Sequence, residues 1–254
     1  TYLGTGTSGG VPMIGCSCQV CTSIDLKDKR LRTSILIRSA NTTIAVDSGP
    51  DFRQQMLREK VTSLNGILFT HSHKDHVAGL DDVRAYNYWS RLPMQVYASE
   101  PTQAVLVREF PYAFADSPYP GVPEIKMNTI HLEPFLVGDI PVIPILVWHL
   151  KMPVLGFRFG DFTYITDANR IDPSEMEKIR GTKILTLNTL RKQKHISHFT
   201  LEEGIQLANE IGAAKTFFTQ RYRRNCLPAW RWPMTDWCFH CKVFILPLHS
   251  GILL

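Results

Sequence analysis

The sequence reads Gly66-Ile67-Leu68-Phe69-Thr70-His71-Ser72-His73-Lys74-Asp75-His76 at the point that decides its fold. Residues 66–70 predict a short buried strand, because apolar residues follow one another without a break. His71 and His73 stand two positions apart in an extended segment, so their side chains point to the same side. Imidazole and carboxylate are good ligands for zinc and similar ions. We therefore predict that His71 and His73 share one ion, while Asp75 and His76 face a second; an incidental polar loop is the weaker alternative.

Size and composition favour one α/β domain. The chain has 254 residues, of which 44% are hydrophobic and 20% charged, which is ordinary for a soluble protein. The sequence has neither an apolar run of about 18 residues nor a secretory signal pattern, so we expect a cytoplasmic protein without a membrane partner. The net charge is +5, but most of it falls in residues 220–254. A nucleic-acid partner is therefore not expected.

Strand and helix patterns alternate along most of the chain. Predicted strands cover 34–40, 42–47, 66–70, 94–98, 140–148, 154–159, 162–166, 183–187 and 216–219. Predicted helices cover 52–60, 76–89, 101–110, 173–180 and 201–211. This order suits two sheets covered by outer helices, in the α/β class.

The spacing His-x-His-x-Asp-His after an apolar strand resembles the signature of the metallo-β-lactamase superfamily, and the resemblance covers residues 1–219. Residues 5–12 and 16–21 resemble the branch that contains the cyclic ribosyl-phosphate phosphodiesterases of phosphonate breakdown. The resemblance implies an αββα four-layer sandwich. It also implies that the metals lie in a cleft at one edge of the two sheets.

The resemblance also identifies later site residues. His149, which ends the strand 140–148, matches the histidine that completes the first ion's ligands. Asp167 matches the carboxylate that bridges both ions. His198 matches a catalytic histidine just before a predicted helix, where Thr200 and Glu203 have the spacing of a capping box. His195 is a weaker candidate for the same role, and an exposed polar loop remains the alternative for both histidines.

Three cysteines near the start form a separate candidate site. Cys16, Cys18 and Cys21 have the spacing C-x-C-x2-C and could fill three of the four tetrahedral positions of a structural zinc ion. A disulfide is disfavoured for a cytosolic protein. Unligated thiols remain the alternative, because the sequence does not identify the fourth ligand.

The chain departs from the family pattern at residue 220. Relatives continue with His-Ile-Ser-His, whereas this sequence reads Gln220-Arg221-Tyr222-Arg223. The first family histidine ligates the second ion, and the second completes the cysteine site. We therefore divide the chain into a hydrolase domain, 1–219, and an atypical segment, 220–254. Two explanations remain open, a genuine alternative C-terminus and a frame error in the coding sequence; the frame error explains both losses by one event.

The sequence thus predicts a hydrolase with two divalent ions, zinc or manganese, and an additional structural zinc. The resemblance implies a small cyclic or nucleotide-like phosphodiester as substrate, attacked by a metal-activated water. Asp75 would orient the water, and His198 would either stabilise the transition state or protonate the leaving group. Hydrolysis of a thioester, a lactone or an RNA end is the first alternative. A catalytically impaired metal-binding protein is the second, and a homodimer is left open.

Overall fold

The computed structural model describes residues 1–115 and 120–220. All of the predicted segment 220–254 except Gln220 therefore lies outside the described residues. The chain divides into two compact units. Unit 1 contains residues 1–8 and 31–144, and unit 2 contains residues 9–30 and the chain from Ile145 onward.

Six strands form the sheet of unit 1 in the order β1-β2-β3-β4-β5-β6. Their bounds are β1 Tyr2–Gly4, β2 Ser34–Arg38, β3 Thr43–Val46, β4 Gly66–Leu68, β5 Met94–Ala98 and β6 Ile125–Thr129. The first pairs, β1 with β2 and β2 with β3, are antiparallel. The strands from β3 to β6 are parallel to their neighbours. The sheet is therefore mixed, and the consecutive strands β2 and β3 form a hairpin.

Seven strands form the second sheet, in the order β11-β8-β9-β10-β12-β13, with β7 paired to β8. Their bounds are β7 Phe135–Val137, β8 Ile140–His149, β9 Met152–Phe159, β10 Phe162–Ile165, β11 Arg170–Ile171, β12 Ile184–Asn188 and β13 Lys215–Thr219. Strands β10, β12 and β13 run parallel to one another. Strand β9 pairs with β10, and β8 pairs with β11 and β7, in antiparallel orientation, so this sheet is mixed as well.

Six α-helices connect the strands of the described residues. They are α1 Phe52–Arg58, α2 Lys74–Val77, α3 Arg84–Ser90, α4 Glu100–Glu109, α5 Pro173–Ile179 and α6 Leu201–Ile211. The capping box predicted at α6 is present, with hydrogen bonds in both directions between Thr200 and Glu203. The single helix predicted over 76–89 is wrong. Its place is taken by α2, a 3₁₀ turn at Leu80–Val83 and α3, because the N–H of Gly79 donates to Ser48 O and redirects the chain.

Each unit has its own apolar core. In unit 1, strand residues such as Leu36, Ile67 and Val96 pack in one buried cluster with helix residues. In unit 2, Ile165 and Leu187 belong to a second cluster. The sequence analysis did not predict β1, β6, β7 and β11. These strands are short or partly exposed and lack a clear apolar pattern. Every helix in the described parts of the chain is too short or too polar to cross a lipid bilayer.

Candidate metal centre

Two parallel strands of unit 1 deliver the first group of polar residues. Strand β3 ends at Val46 and is followed by Asp47, and β4 leads into Thr70 and His71. Because β3 and β4 are parallel, their carboxyl ends meet at one edge of the sheet. Asp47 has a φ of 66°, in the left-handed region, which turns its side chain away from the strand direction.

The carboxylate of Asp47 orients the histidine at the end of the signature. It is fully buried and lies 2.7 Å from Nδ1 of His76, which is also fully buried. It also accepts hydrogen bonds from the backbone N–H and the hydroxyl of Thr70. Burial raises the pKa of Asp47, whereas the neighbouring His76 and Thr70 lower it. The Asp47 carboxylate accepts hydrogen bonds from all these neighbours. His76 therefore carries its proton on Nδ1 and presents Nε2 as an acceptor for a metal.

A second relay orients His71. Its Nδ1 lies 3.0 Å from the hydroxyl oxygen of Thr70, which itself donates to Asp47. Because that hydroxyl proton is directed to Asp47, the hydroxyl oxygen accepts from His71 Nδ1 and leaves Nε2 for a ligand bond. The His71 ring centre lies 4.6 Å from that of His73 and 4.2 Å from that of His76. The three signature histidines thus form one group. We call these histidines and Asp75 the first ligand set.

Asp75 lies in α2, directly after His73, which is the residue preceding the helix. Its carboxylate is 21% exposed and lies 3.3 Å from His76 Nε2. The backbone here is tightly packed: His76 O accepts from Ser48 N at 2.8 Å. Gly49 makes this approach feasible, because an added Cβ would lie 2.0 Å from the carbonyl oxygen of Asp75.

Replacing Gly49 with alanine should therefore displace the first ligand set. The new methyl group would meet backbone atoms that cannot rotate away, so we expect a loss of about 3 kcal/mol in unfolding free energy, the upper end of the usual cost of overpacking. Gly160→Ala is the matched control: its Cβ would meet nothing within 4 Å, although φ is 58°, and the strain costs about 1 kcal/mol. Urea unfolding of both variants measures the difference. Equal losses would show that Gly49 has no special packing role.

Three parallel strands of unit 2 deliver the second group. Asp167 follows β10, Asn188 ends β12 and Gln220 follows β13. The Asn188 side chain bonds the backbone of Ala168 in both directions, at 2.9 Å each. The amide of Gln220 donates to both carboxylate oxygens of Asp167, at 3.1 and 3.0 Å. Asp167 and Gln220 both have a positive φ, 48° and 57°. Gln220 therefore acts as a hydrogen-bond donor to the predicted bridging carboxylate.

His149 and His198 complete this group. Ligand atoms of His149, Asp167 and His198 all lie within 4.8 Å of one another, close enough to hold one ion. His149 Nδ1 lies 2.8 Å from the carbonyl oxygen of Ser197, so it carries the proton and Nε2 remains the acceptor. We call these three residues the second ligand set.

Asn188 determines the protonation of His198. Its Oδ1 accepts from Ala168 N, so its Nδ2 faces both the Ala168 carbonyl and His198 Nδ1, the latter at 3.2 Å. The amide N–H at 3.2 Å is nearer to Nδ1 than the Asp167 carboxylate oxygen at 3.6 Å, so the closer contact favours Nδ1 as the acceptor and the His198 proton on Nε2. His198 is therefore built as a proton donor through Nε2.

His195, the weaker candidate, lies beside His198 with 5.2 Å between their ring centres. Burial lowers the pKa of His195, and the nearby charges of Arg191 and His149 lower it further. His195 is thus neutral near pH 7. No contact with Asp167 or Asn188 is among those described for its ring, which distinguishes it from His198.

The structure brings the three N-terminal cysteines together. The sulfur atoms of Cys16, Cys18 and Cys21 lie within 4.8 Å of one another. Backbone N–H groups of Cys21 and Met13 point at Cys18 Sγ and Cys21 Sγ, both at 3.4 Å. Such contacts stabilise thiolates, so this group fits three positions of a tetrahedral zinc site. Five later residues are chemically able to supply the fourth ligand but lie outside the described residues: Cys226, Cys238, His240, Cys241 and His249.

Sequence reasoning identified the members of both ligand sets but missed the residues that orient them. Asp47 was treated only as the end of the predicted strand 42–47, and Asn188, directly after the predicted strand 183–187, was not singled out. The available signal was their position, a polar side chain at the carboxyl end of an apolar strand. From the sequence, Gln220 offers a metal only a weak amide oxygen in place of the family histidine; in the structure its amide nitrogen is the group that contacts Asp167.

Comparison with known proteins agrees with this chemistry. A family model described as "Beta-lactamase superfamily domain" matches residues 42–219. The chain is 42% identical over 213 residues to an octanoyltransferase of Porphyromonas gingivalis, covering 83% of this chain but 43% of that protein. It is 29% identical over 162 residues to the coenzyme PQQ synthesis protein B of Bradyrhizobium diazoefficiens, covering 53% of this chain and 51% of the relative. The chain thus spans about half the length, or less, of these relatives.

Comparison with solved structures identifies the same family. A diphosphatase from the PhnP family superposes with a TM-score of 0.80 and 38% identity, covering 87% of this chain and 85% of the other. Zn²⁺-bound PqqB from Methylobacterium extorquens has a TM-score of 0.70 at 20% identity over 87% of this chain and 88% of the other, which supports the fold alone. The expected α/β sandwich class is thereby confirmed. The chain belongs to the metallo-β-lactamase superfamily of hydrolases.

Proposed function

We propose that this chain is a metal-dependent phosphodiesterase that acts on a small cyclic or nucleotide-like phosphodiester. The observation that carries the substrate class is the 38% identity to a PhnP-family diphosphatase across 87% of the chain. That relative is named for cleaving a phosphate–oxygen bond of a diphosphate, which is chemically close to a phosphodiester. The orientation of the candidate ligands supports a metal-dependent reaction.

The residues present fit a divalent metal. His71, His76 and His149 each have Nδ1 engaged by an oxygen atom, so each presents Nε2 to a ligand. We propose that His71, His73, Asp75 and His76 of unit 1 would serve as metal ligands, and that His149 and Asp167 would do so in unit 2. Zinc or manganese, when bound, supplies a Lewis acid and generates hydroxide near neutral pH.

The protein's own residues would guide the remaining steps. Asp75, partly exposed beside His76, would orient the attacking water through a carboxylate oxygen. His198 would donate its Nε2 proton to the leaving alkoxide, because Asn188 keeps Nδ1 in the acceptor role. After the reaction His198 Nε2 would regain a proton from solvent, since the His198 side chain is 13% exposed.

A second candidate is hydrolysis of an acyl thioester. It is favoured by the 42% identity to a protein named octanoyltransferase, an acyl-transfer activity. The matched region is 43% of that protein, so more than half of the protein that carries the name lies outside the match. The diphosphatase, by contrast, matches over 85% of its own length. We therefore rank the thioester second.

The full chain, stripped of metal and reloaded with zinc or manganese, tests both candidates. We expect hydrolysis of bis-p-nitrophenyl phosphate that depends on the metal and stops with a chelator. We expect a lower kcat/KM for an octanoyl thioester, since the site is matched to a charged phosphate. A higher kcat/KM for the thioester would overturn the phosphodiester assignment in favour of the second candidate. Activity that survives complete metal removal would contradict both.

A further inference from the structure

The side-chain amide of Asn169, which lies between β10 and β11, joins two segments of unit 2. Its Oδ1 accepts a hydrogen bond from the backbone N–H of Leu150 at 2.8 Å. Its Nδ2 donates to the carbonyl oxygen of Ile196 at 3.0 Å. A backbone N–H only donates and a carbonyl oxygen only accepts, so these partners fix the orientation of the amide. Asn169 therefore connects the turn after β8 with the loop before α6.

The first of these segments carries His149, the last residue of β8. Leu150 follows it with a φ of 59°, in the left-handed region that leucine rarely adopts, so the backbone turns sharply after His149. The hydrogen bond from Leu150 to Asn169 holds this turn in place. His149 Nδ1 lies 2.8 Å from the carbonyl oxygen of Ser197, which belongs to the other segment. The contact that orients the His149 ring thus depends on how the two segments are held together.

The second segment carries His198 and is attached on both sides of it. Asn169 binds the carbonyl oxygen of Ile196 ahead of His198. Behind it, the backbone N–H of Phe199 donates to the carbonyl oxygen of Ala168 at 2.9 Å. Ala168 and Asn169 are neighbours in the chain, so the short stretch that contains His198 is anchored at two points on one rigid element.

We propose that Asn169 is a positioning residue for both histidines of the second ligand set. It holds the Ser197 carbonyl oxygen opposite His149 Nδ1, and this selects the tautomer that presents Nε2 to a metal. It also keeps His198 beside His149, with 4.7 Å between the ring centres. The roles of the two histidines rest on the proposed function. Asn169 acts on them only through the backbone, because its amide contacts main-chain atoms of Leu150 and Ile196.

A purely structural role for Asn169 makes a different prediction, and Asn87 provides the matched control. The Asn87 side chain also joins backbone segments: it donates to the carbonyl oxygens of Leu92 and Glu124 at 2.9 and 3.0 Å and accepts from Glu124 N at 3.0 Å. Asn87 lies in α3 of unit 1 and belongs to neither ligand set. If Asn169 only stabilised the fold, Asn169→Ala and Asn87→Ala would both unfold more readily and leave the histidines and turnover unchanged.

The tautomer of His149 in the metal-free full chain gives a readout independent of turnover. Long-range nitrogen–proton NMR spectra, recorded above about pH 8 where imidazoles are neutral, distinguish a proton on Nδ1 from one on Nε2. His149→Gln identifies the His149 signals. We expect the Nδ1–H form in the unaltered chain and in Asn87→Ala, and a mixture of both forms in Asn169→Ala. A pure Nδ1–H form in Asn169→Ala, or the same mixture in both variants, would overturn the positioning role.

Kinetics of the metal-loaded full chain test the consequence for the reaction. With metal content matched, we expect Asn169→Ala to lower kcat for bis-p-nitrophenyl phosphate by about 10- to 100-fold, the usual effect of losing a residue that orients a ligand. KM should not change, because Asn169 acts on the histidines and not on the substrate. Asn87→Ala should leave both constants unchanged. An equal fall of kcat in both variants, or none in Asn169→Ala, contradicts the proposal.

The two readouts separate this inference from the proposed function. If the unaltered metal-loaded chain does not hydrolyse the ester, the proposed function fails, and the His149 tautomer still decides whether Asn169 positions the ring. If Asn169→Ala does not fold, Asn169→Asp takes its place. This variant keeps the acceptor for Leu150 N and loses the donor to Ile196 O, so the same mixture of tautomers is expected. An unchanged tautomer in Asn169→Asp would overturn the proposal.

Discussion

Replacing Asp75 with alanine is expected to lower turnover of a phosphodiester by about 10²- to 10⁴-fold. The change removes a carboxylate that we propose both holds an ion and orients the attacking water. It should spare the fold, because the Asp75 side chain is 21% exposed rather than part of the core. The measurement is kcat for bis-p-nitrophenyl phosphate, with the metal content of wild type and variant matched.

Asp82→Ala is the control for this variant. Asp82 is a nearby carboxylate in the 3₁₀ turn after α2, and its pKa is raised by partial burial and by the neighbouring Asp81. We expect it to change turnover little, because it belongs to neither ligand set. Wild-type turnover in Asp75→Ala at full metal content would remove Asp75 from the mechanism.

Replacing Gln220 with histidine should tighten binding of the second ion by about 10- to 100-fold. This is the effect on metal affinity of losing a residue that only orients a ligand, and a direct ligand should contribute at least as much. Gln220 is 2% exposed and directs its N–H groups at both oxygens of Asp167. Those N–H groups form hydrogen bonds with the carboxylate but offer no electron pair to a metal. Histidine would offer a neutral nitrogen instead, so metal stoichiometry and activity should rise together. Elemental analysis and chelator competition measure the change.

Gln220→Leu separates the two roles of this residue. It removes the hydrogen bonds to Asp167 without adding a ligand, so metal affinity should not rise. Two ions bound tightly by the unaltered chain, with no change in Gln220→His, would show that another group supplies the ligand. The histidine expected at position 223 in the family pattern is arginine here and lies outside the described residues.

The ligand residues could be predicted because their types and spacing are local properties of the sequence. His71, His73, Asp75 and His76 occur within six positions after one strand. The orienting contacts could not, because they join residues that are distant in the chain. Asp47 reaches His76 across 29 positions and Gln220 reaches Asp167 across 53. Parallel pairing creates these contacts, and the strand patterns alone do not give the order of strands in a sheet.

The helix predicted over 76–89 failed for a related reason. Its apolar spacing suits one continuous helix, but Gly79 packs against backbone atoms of a loop that precedes it by some thirty positions, with Gly49 O 2.2 Å from where its Cβ would be. Local periodicity carries no information about such an approach. A glycine inside a helical pattern was the available signal.

The left-handed backbone at Asp47, Asp167 and Gln220 limits which mutations these positions can accept. Residues branched at Cβ are excluded there by steric clash, whereas Asn, Asp, His and Gly tolerate a positive φ. Aspartate and histidine, the types that coordinate metals, are thus among the few that the conformation admits. Histidine is therefore compatible with the present backbone at position 220, so Gln220→His requires no change of main-chain conformation.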